Sequence, residues 1–236
     1  MLETFINELH ACKEFHDRLQ PSVRESDRLG TTLHKFKQLY EQAGRASFNR
    51  NNFPAHFTAS ACLVSVCSEL TEDKEKRISP CVRKRHTRKG WARVSFSESR
   101  PSVLLTKHKK LGKWLQLGGH IAENENPDQA AYRECSEESG LAKSQIRPLV
   151  YCGKPIPIDA DIHQIPGHKA EPPHFHYDLR YVFFTSGAKL IQASDESAAL
   201  AWVPFEDVFS YSGEESLNRL IALVQAHLER QEQESS

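Results

Sequence analysis

One stretch of the chain, residues 119–141, constrains the fold more than any other because it carries signals for both ends of a helix. Asn126 is of a residue type that caps helix N-termini, and the proline after it suits the first helical position. Gln129 stands three residues after this cap, where its side chain can complete a capping box. Gly140 can adopt the left-handed conformation that commonly ends a helix. The stretch therefore predicts a short helix over Pro127–Ser139.

The predicted helix has an acidic face. Glu134 and Glu138 are four residues apart, so they share one face of a helix, and Glu137 lies beside them. Like charges at this spacing destabilise an isolated helix. A hard cation such as Mg²⁺ would bind these oxygens and keep water and substrate phosphate as its other ligands. The face is either a solvated acidic surface or a cation site, and the flanking glycines and Arg133 favour the cation site.

The glycines, acids and arginine of this stretch also stand at fixed intervals, in the pattern G-x5-E-x7-R-E-U-x-E-E-x-G-U, where U is apolar. The residues that fill it are Gly119, Glu125, Arg133, Glu134, Cys135, Glu137, Glu138, Gly140 and Leu141. The pattern resembles the Nudix box without a break. The resemblance implies an α/β fold, an α/β/α sandwich with a mixed sheet. It also implies hydrolysis of a diphosphate joined to another moiety, with Mg²⁺ or Mn²⁺ as the cofactor.

The resemblance further implies a role for each residue of the pattern. The carboxylates that it implies as metal ligands and catalytic groups are those of Glu134, Glu137 and Glu138. Arg133 and Glu125 would form an ion pair that holds the loop onto the helix, as groups behind the metal ligands commonly do. The main-chain carbonyl of Gly119 would add a further oxygen to the site.

The general base is left open among three carboxylates, Glu134, Glu171 and Glu196. In the family this role belongs either to a glutamate of the box or to a carboxylate on a later loop. Glu196 is the first choice outside the box, because a polar loop before the strand around Trp202 can overhang the cleft.

Apolar periodicity organises the rest of the chain. Helical spacing over residues 1–44 predicts a helical hairpin, within an N-terminal extension that spans residues 1–50, and this hairpin either packs on the main domain or contacts a second copy in a homodimer. The Nudix domain is predicted over residues 57–230, with an amphipathic helix over residues 213–230 at its end. A basic insertion, residues 69–100, interrupts it. The strands predicted before the box are residues 57–66, 103–108 and 114–117.

A row of polar residues alternates with apolar ones over residues 174–184, which indicates a strand with one polar face. We expect the polar face to line the cleft, because the proline-rich segment before it, residues 155–173, is predicted to be an irregular loop. The residues predicted to bind substrate are His120, His174, His176, Asp178 and Arg180. A transition-metal site made by His174, His176 and Asp178, with ligands from elsewhere, is the alternative interpretation of the row.

Charge and apolar patterning limit the partners. Thirty-one basic and thirty-one acidic residues cancel, so no net charge draws the chain to nucleic acid or to a membrane. No apolar run reaches the length of a membrane span, and the N-terminus lacks the apolar core of a signal peptide. The six cysteines form no C-x-x-C pair, which favours reduced thiols. These features predict a cytoplasmic protein.

Three functional hypotheses follow. The first is hydrolysis of a pyrophosphate linkage in a nucleoside-diphosphate-type small molecule. The second is hydrolysis at RNA ends, for which the basic insertion and Trp91 are the support. The third is a non-catalytic Nudix-fold binding or regulatory module, against which the intact set of clustered glutamates argues.

Overall fold

A computed structural model describes residues 2–19, 21–68, 78–79, 100–109, 112–167, 171–186 and 197–234. The α-helices are α1 (Leu2–Arg18), α2 (Val23–Ala43), α3 (Pro127–Ser139), α4 (Val208–Ser212) and α5 (Glu215–Glu234). The strands up to the box are β1 (Ala55–Ser68), β2 (Ile78–Ser79), β3 (Ser102–His108), β4 (Trp114–Leu115) and β5 (Leu117–His120). Those after it are β6 (Arg147–Pro148), β7 (Val150–Tyr151), β8 (Lys154–Pro155), β9 (Pro157–Ile165), β10 (His174–Ser186) and β11 (Ser197–Pro204).

The main sheet is mixed, as predicted. Its strand order is β11-β3-β1-β10-β6, with β5 paired to β1 and β9 paired to β10. The two long central strands, β1 and β10, run parallel, and this pairing places His56 opposite His176. Strands β3 and β5 pair with β1 in the antiparallel direction. Residues far apart in the chain therefore meet at the centre of the sheet.

Both faces of the sheet are covered by helices. Alternate residues of β1, such as Phe57 and Ala59, lie in an apolar cluster with side chains of α1, α2 and α3. The intervening residues, such as Cys62 and Val64, lie in a second cluster with side chains of α5. This alternation gives the predicted α/β/α sandwich, and the N-terminal helices pack on the same face as the box helix.

Residues 155–173 differ from the prediction of an irregular loop, which was wrong for Pro157–Ile165. The segment contains β9 (Pro157–Ile165), which pairs antiparallel with β10. Ile158 and Ala160 are buried and alternate with polar residues, so the segment carries the period of a strand. Proline occupies the first residue of this strand and also the residue after its end, and a strand tolerates proline at these positions. The polar face of β10 therefore meets another strand.

The strand predicted over residues 114–117 is divided in two. Trp114–Leu115 pairs with β3, whereas Leu117–His120 pairs with β1. The backbone thus changes partner between these short strands, and the second of them carries the glycines of the box into the sheet. Among the described residues, the cysteines Cys12, Cys62, Cys135 and Cys152 form no disulfide.

Candidate active site

The helix of the box begins and ends where the sequence predicts. The backbone N–H of Asn126 donates to the Gln129 side-chain oxygen at 3.0 Å, which is one half of a capping box. Gly140 has a φ of +70°, in the left-handed region, and its N–H donates to the Ser136 carbonyl at 3.0 Å. The side chain of Cys135, a residue of this helix, is fully buried. These local contacts fix the direction in which the acidic face points.

Arg133 donates hydrogen bonds to three carboxylates of the box. Its Nε and Nη2 donate to the two carboxylate oxygens of Glu125, each at 3.0 Å, and Nη2 also donates to the His120 carbonyl at 3.0 Å. Its Nη1 donates to Glu134 Oε1 at 2.8 Å and to Glu137 Oε2 at 3.2 Å. One guanidinium therefore joins the helix to the loop before it, in the bidentate geometry that strengthens such pairs.

The ion pair shifts the pKa of both partners. Hydrogen bonding to Glu125 raises the pKa of Arg133, outweighing the opposing effect of burial, so the guanidinium stays charged. Burial alone would raise the pKa of Glu125, but the hydrogen bonds from Arg133 and from the Ala122 N–H outweigh it and lower the pKa. Glu125 therefore remains a carboxylate, and the pair holds at neutral pH.

Gly119 permits a close approach between the loop and the helix. A Cβ at this position would lie 2.4 Å from Glu134 Oε1 and 2.7 Å from Glu134 Cδ. No side chain fits in that space, so only glycine lets the Glu134 carboxylate lie against the β5 backbone. The Gly119 backbone and the Glu134 carboxylate therefore border the same small space.

The donor chemistry of this site fits a hard divalent cation. Three glutamates lie within two turns of α3, and the Arg133 guanidinium contacts two of them, Glu134 and Glu137. The Glu134 side chain is 15% exposed and that of Glu137 is 61% exposed, so the acidic face opens to solvent on one side. Carboxylate oxygens that face solvent would suit Mg²⁺ or Mn²⁺, which also take water and substrate oxygens as ligands.

Three of the predicted substrate-binding residues, His120, His174 and His176, meet in one cluster. The His174 and His176 rings lie 5.1 Å apart and the His120 and His176 rings 5.2 Å apart. His56, on β1, joins them, with its ring 4.8 Å from that of His176. Sequence reasoning missed His56, because only the parallel pairing of β1 with β10 brings it to this position.

The Asp178 carboxylate bonds to other side chains and not to these histidines. It is buried, and its carboxylate accepts hydrogen bonds from the Thr58 hydroxyl at 3.0 Å, the Ser60 hydroxyl at 2.7 Å and the Gln116 amide at 3.1 Å. Asp178 thus ties β10 to β1 and to the β4–β5 connection. It is not among the residues that could share a metal ion with the histidines.

Arg180 is also buried, and it faces α5 and β9. Its Nη1 donates to the Ser216 carbonyl at 2.9 Å, and its guanidinium lies 3.5 Å from Asp159 and 3.2 Å from Asp161. The predicted polar row therefore divides into two parts. His174 and His176 lie in the histidine cluster, whereas Asp178 and Arg180 are engaged in contacts within the protein.

Several predicted residues fall elsewhere. Glu171 is half exposed and its carboxylate accepts from Arg50 at 2.9 Å. Glu196 lies outside the described residues, as does Trp91. The same holds for the basic insertion, residues 69–100, apart from residues 78–79 and Arg100.

The comparison with protein families identifies the class. A family model described as the NUDIX domain matches residues 87–224, which is more than half of the chain. The chain therefore belongs to the Nudix family, and it is a hydrolase that acts on phosphoanhydride bonds. Hydrolases of this family generally use divalent metal ions. No curated protein matches the chain.

Solved structures with a similar fold are distant in sequence. An Ap4A hydrolase from C. elegans, solved as a binary complex, is 16% identical, with 73% of this chain and 96% of that chain covered and a TM-score of 0.48. The E. coli dihydroneopterin triphosphate pyrophosphohydrolase is 14% identical, with 70% and 91% covered and a TM-score of 0.45. The NUDIX domain of Shewanella oneidensis NrtR, solved with ADP ribose, is 17% identical, with 78% and 97% covered and a TM-score of 0.44. These similarities are too distant to indicate a substrate.

Among the residues that the structure describes, no helix is both long and apolar enough to cross a membrane.

Proposed function

We propose that this protein uses Mg²⁺ or Mn²⁺ to cleave the pyrophosphate linkage of a nucleoside-diphosphate-type small molecule. The observation that carries the proposal is the arrangement around Arg133, which holds Glu125, Glu134 and Glu137 together at hydrogen-bonding distance. Three carboxylates thus lie around one guanidinium, and Glu138 lies one turn from Glu134 on the same helix. A binding module has no need of such clustered carboxylates, whereas a divalent cation takes them as ligands.

The carboxylates that would hold the cation are those of Glu134, Glu137 and Glu138. The bound cation supplies charge neutralisation on the diphosphate oxygens and lowers the pKa of a water molecule. Arg133 and Glu125 position the helix against the loop, and Gly119 leaves room for the Glu134 carboxylate. These chain residues therefore preorganise the charges before the substrate binds.

The general base remains a choice among Glu134, Glu171 and Glu196. Glu134 lies in the carboxylate cluster itself, whereas Glu171 is paired with Arg50 beside the histidines. Glu196 stays the preferred candidate outside the box because of its place in the loop before β11. Replacing each in turn by glutamine and comparing the pH dependence of turnover would separate them, since loss of the base removes the acidic limb of the profile.

A small molecule is the proposed partner rather than nucleic acid or a membrane. Acidic and basic residues balance at thirty-one each, so non-specific attraction to a polyanion is weak. The proposal does not depend on Asp178 or Arg180 as substrate ligands, because both side chains are buried in contacts within the protein.

The experiment is a screen of diphosphate substrates with Mg²⁺ and with Mn²⁺, which measures released phosphate or monophosphate. Nucleoside triphosphates, nucleotide sugars and dinucleotides form the panel. With the best substrate, we expect Glu138→Gln to keep the fold but to lower turnover by about 100-fold or more, because a charged transition state loses a contact.

The matched control is Glu123→Gln, which removes an exposed carboxylate from the loop before α3, at a variable position of the box. We expect it to leave turnover near the wild-type value. Turnover of Glu138→Gln within a few-fold of wild type would refute the assignment of the cation site, and an inactive wild type across the panel would refute the substrate class.

A further inference from the structure

Five histidines converge at one end of the central strands, beside the carboxylates of the box. His56 comes from β1, His120 from the end of β5, His163 from β9, and His174 and His176 from the start of β10. The His56 ring lies 5.2 Å from His120 and 5.0 Å from His174, and the His163 ring lies 5.5 Å from His176. Side-chain nitrogens of His56, His120 and His176 all lie within 4.8 Å of one another.

Main-chain carbonyls fix the tautomer of two of these rings. His56 Nδ1 lies 3.4 Å from the Asn52 carbonyl, and His174 Nδ1 lies 2.9 Å from the Pro172 carbonyl. A carbonyl only accepts, so each Nδ1 carries the proton and each Nε2 presents a lone pair. Backbone carbonyls orient metal-binding histidines in this way in known sites.

The Nε2 atom of His56 is free to bind a ligand. His56 is 1% exposed, and among the described residues its Nε2 is buried without a hydrogen-bond partner. A buried acceptor without a partner costs on the order of 1–3 kcal/mol, so such atoms are rare unless something binds them. His174 Nε2 accepts a hydrogen bond from His176 Nε2 at 3.2 Å, and two nitrogen ligands of one metal ion lie at about the same separation.

The geometry of the cluster separates a cation from an anion as its ligand. The Nδ1 proton of His56 and that of His174 each face a main-chain carbonyl, so the Nε2 atoms of both rings offer lone pairs to the cluster. A lone pair on imidazole nitrogen binds a transition-metal cation, whereas a phosphate oxygen would require an N–H donor at the same atom.

We propose that His56, His120 and His176, with His174 as the fourth ligand, bind a transition-metal cation of the Zn²⁺ type. Bond lengths of about 2.0–2.1 Å to a tetrahedral Zn²⁺ place ligand nitrogens roughly 3.3–3.4 Å apart. The His174–His176 pair already has this spacing, and the other nitrogens reach it by small side-chain rotations.

This site is chemically distinct from the carboxylate site of the box. It offers only nitrogen ligands, which select Zn²⁺ or a similar ion, whereas the box offers oxygen ligands, which suit Mg²⁺ or Mn²⁺. His120 connects the two, because its ring lies in the cluster while its carbonyl accepts from Arg133 at 3.0 Å. Zn²⁺ at the histidines would therefore fix the position of β5 beside the box.

The test is calorimetric titration of the chelator-treated full-length protein with Zn²⁺. We expect about one tight Zn²⁺ site per chain. We expect His176→Ala and His56→Ala to weaken Zn²⁺ binding by about 100-fold or more, since replacing a residue that only hydrogen-bonds to a metal ligand already costs about 10–100-fold in affinity. His34→Ala, which removes an exposed histidine from α2, and Glu138→Gln are expected to bind Zn²⁺ as the wild type does. Unchanged affinity in both cluster variants would overturn the site, and so would loss of Zn²⁺ binding in Glu138→Gln alone.

A second measurement needs no variant and covers the case in which a cluster variant fails to fold. Nitrogen-detected NMR of the ring atoms in the wild type follows each histidine as Zn²⁺ is added. We expect the Nε2 resonances of His56 and His174 to shift at one equivalent while the exposed His10 and His34 do not. Shifts that are confined to the exposed histidines, or no shift at one equivalent, would overturn the proposal. Neither readout depends on hydrolysis, so failure of one proposal leaves the other intact.

Discussion

Gly118 and Gly119 are neighbours in the chain, but different contacts require them. At Gly118 φ is +151°, and a Cβ would lie 2.7 Å from Ser60 Cα and 2.9 Å from the Ala59 carbonyl oxygen. Those are backbone atoms of β1 and cannot move aside cheaply. At Gly119 the obstacle is the far end of the Glu134 side chain, which can rotate away. Gly118 is therefore required for the close pairing of β5 with β1, and Gly119 for the position of the Glu134 carboxylate.

We predict opposite outcomes for alanine at the two positions. Gly118→Ala should destabilise the protein by about 1–3 kcal/mol or more, because overpacking against backbone strains the sheet. Gly119→Ala should unfold near the wild-type midpoint but lose turnover by on the order of 100-fold, because the Glu134 carboxylate is displaced. Urea unfolding and turnover per folded molecule check this pair. A Gly119→Ala variant with normal turnover would contradict the role given to the close approach.

Glu8 on α1 is a second residue with an unusual environment. Its carboxylate accepts a hydrogen bond from the Tyr181 hydroxyl on β10. Burial raises the pKa of Glu8 to about 7, the hydrogen bond from Tyr181 opposes this, and the charge of Asp128 on α3 adds to it. The pKa of Glu8 in the folded protein exceeds the unfolded value of 4.5. The contribution of protonated Glu8 to stability is therefore complete below pH 4.5 and is lost as the pH rises through 7.

We therefore predict that Glu8→Gln flattens the pH dependence of stability between pH 4.5 and 7 and stabilises the protein at pH 8. Glutamine keeps an oxygen that can accept from Tyr181 but carries no charge to desolvate. The measurement is the free energy of unfolding in urea at pH 5 and at pH 8 for both proteins. Parallel pH profiles for wild type and variant would contradict the prediction.

At the scale of elements, β9 joins parts of the chain that are remote in sequence. Asp159 on this strand is fully buried, and its carboxylate accepts from Arg28 on α2 and, at 3.1 Å, from Arg219 on α5. Arg180 on β10 lies 3.5 Å from the same carboxylate. A single acidic side chain thus ties the N-terminal hairpin and the C-terminal helix to the centre of the sheet.

We predict that Asp159→Asn destabilises the protein by up to about 3–5 kcal/mol, because it removes the buried charge that three guanidinium groups share. Arg180 and Arg219 keep Asp161 as a partner, and Arg28 keeps Glu25. The control is Asp17→Asn on α1, whose ion pair with Lys13 is nearly half exposed on the Asp17 side. Exposed pairs contribute about 0–1 kcal/mol, so the control should unfold close to the wild type. Thermal and urea unfolding compare the two. An equal, small effect of both substitutions would show that the Asp159 cluster does not hold the helices in place.

The whole molecule shares its core between the N-terminal helices and the sheet. Leu29 and Phe36 of α2 are fully buried in the cluster that contains Phe57 of β1 and Ala131 of the box helix. The Phe36 and Phe57 rings stack at 5.4 Å. Packing on the main domain is one of the two roles that we predicted for the hairpin, the other being contact with a second copy. It follows that the hairpin and the box helix are supported by the same apolar residues.

How much of this could be predicted from sequence depends on the distance between interacting residues. The helix Pro127–Ser139 and its caps were predictable because Asn126, Gln129 and Gly140 act within a few residues of one another. The histidine cluster was only half predictable. His174 and His176 share a strand, but His56 joins them through a parallel pairing of strands that are more than a hundred residues apart.

The strand β9 was missed for a different reason. Its alternation of Ile158 and Ala160 with acidic residues is a local signal, but the prolines on either side indicated a loop more strongly. Pairing with β10 satisfies the backbone of this segment, and the arginines of α2 and α5 neutralise its buried acid. Neither partner can be identified from the segment itself.

The most direct test of the central claim is a titration with Mn²⁺ in which the free ion is followed by its paramagnetic resonance signal. The wild type and His176→Ala should each remove about one equivalent of Mn²⁺ from solution, since the box carboxylates are the ligands. The triple variant of Glu134, Glu137 and Glu138 to glutamine, with its fold checked by circular dichroism, should remove almost none. Binding in the triple variant equal to that of the wild type would contradict the assignment of the cation site.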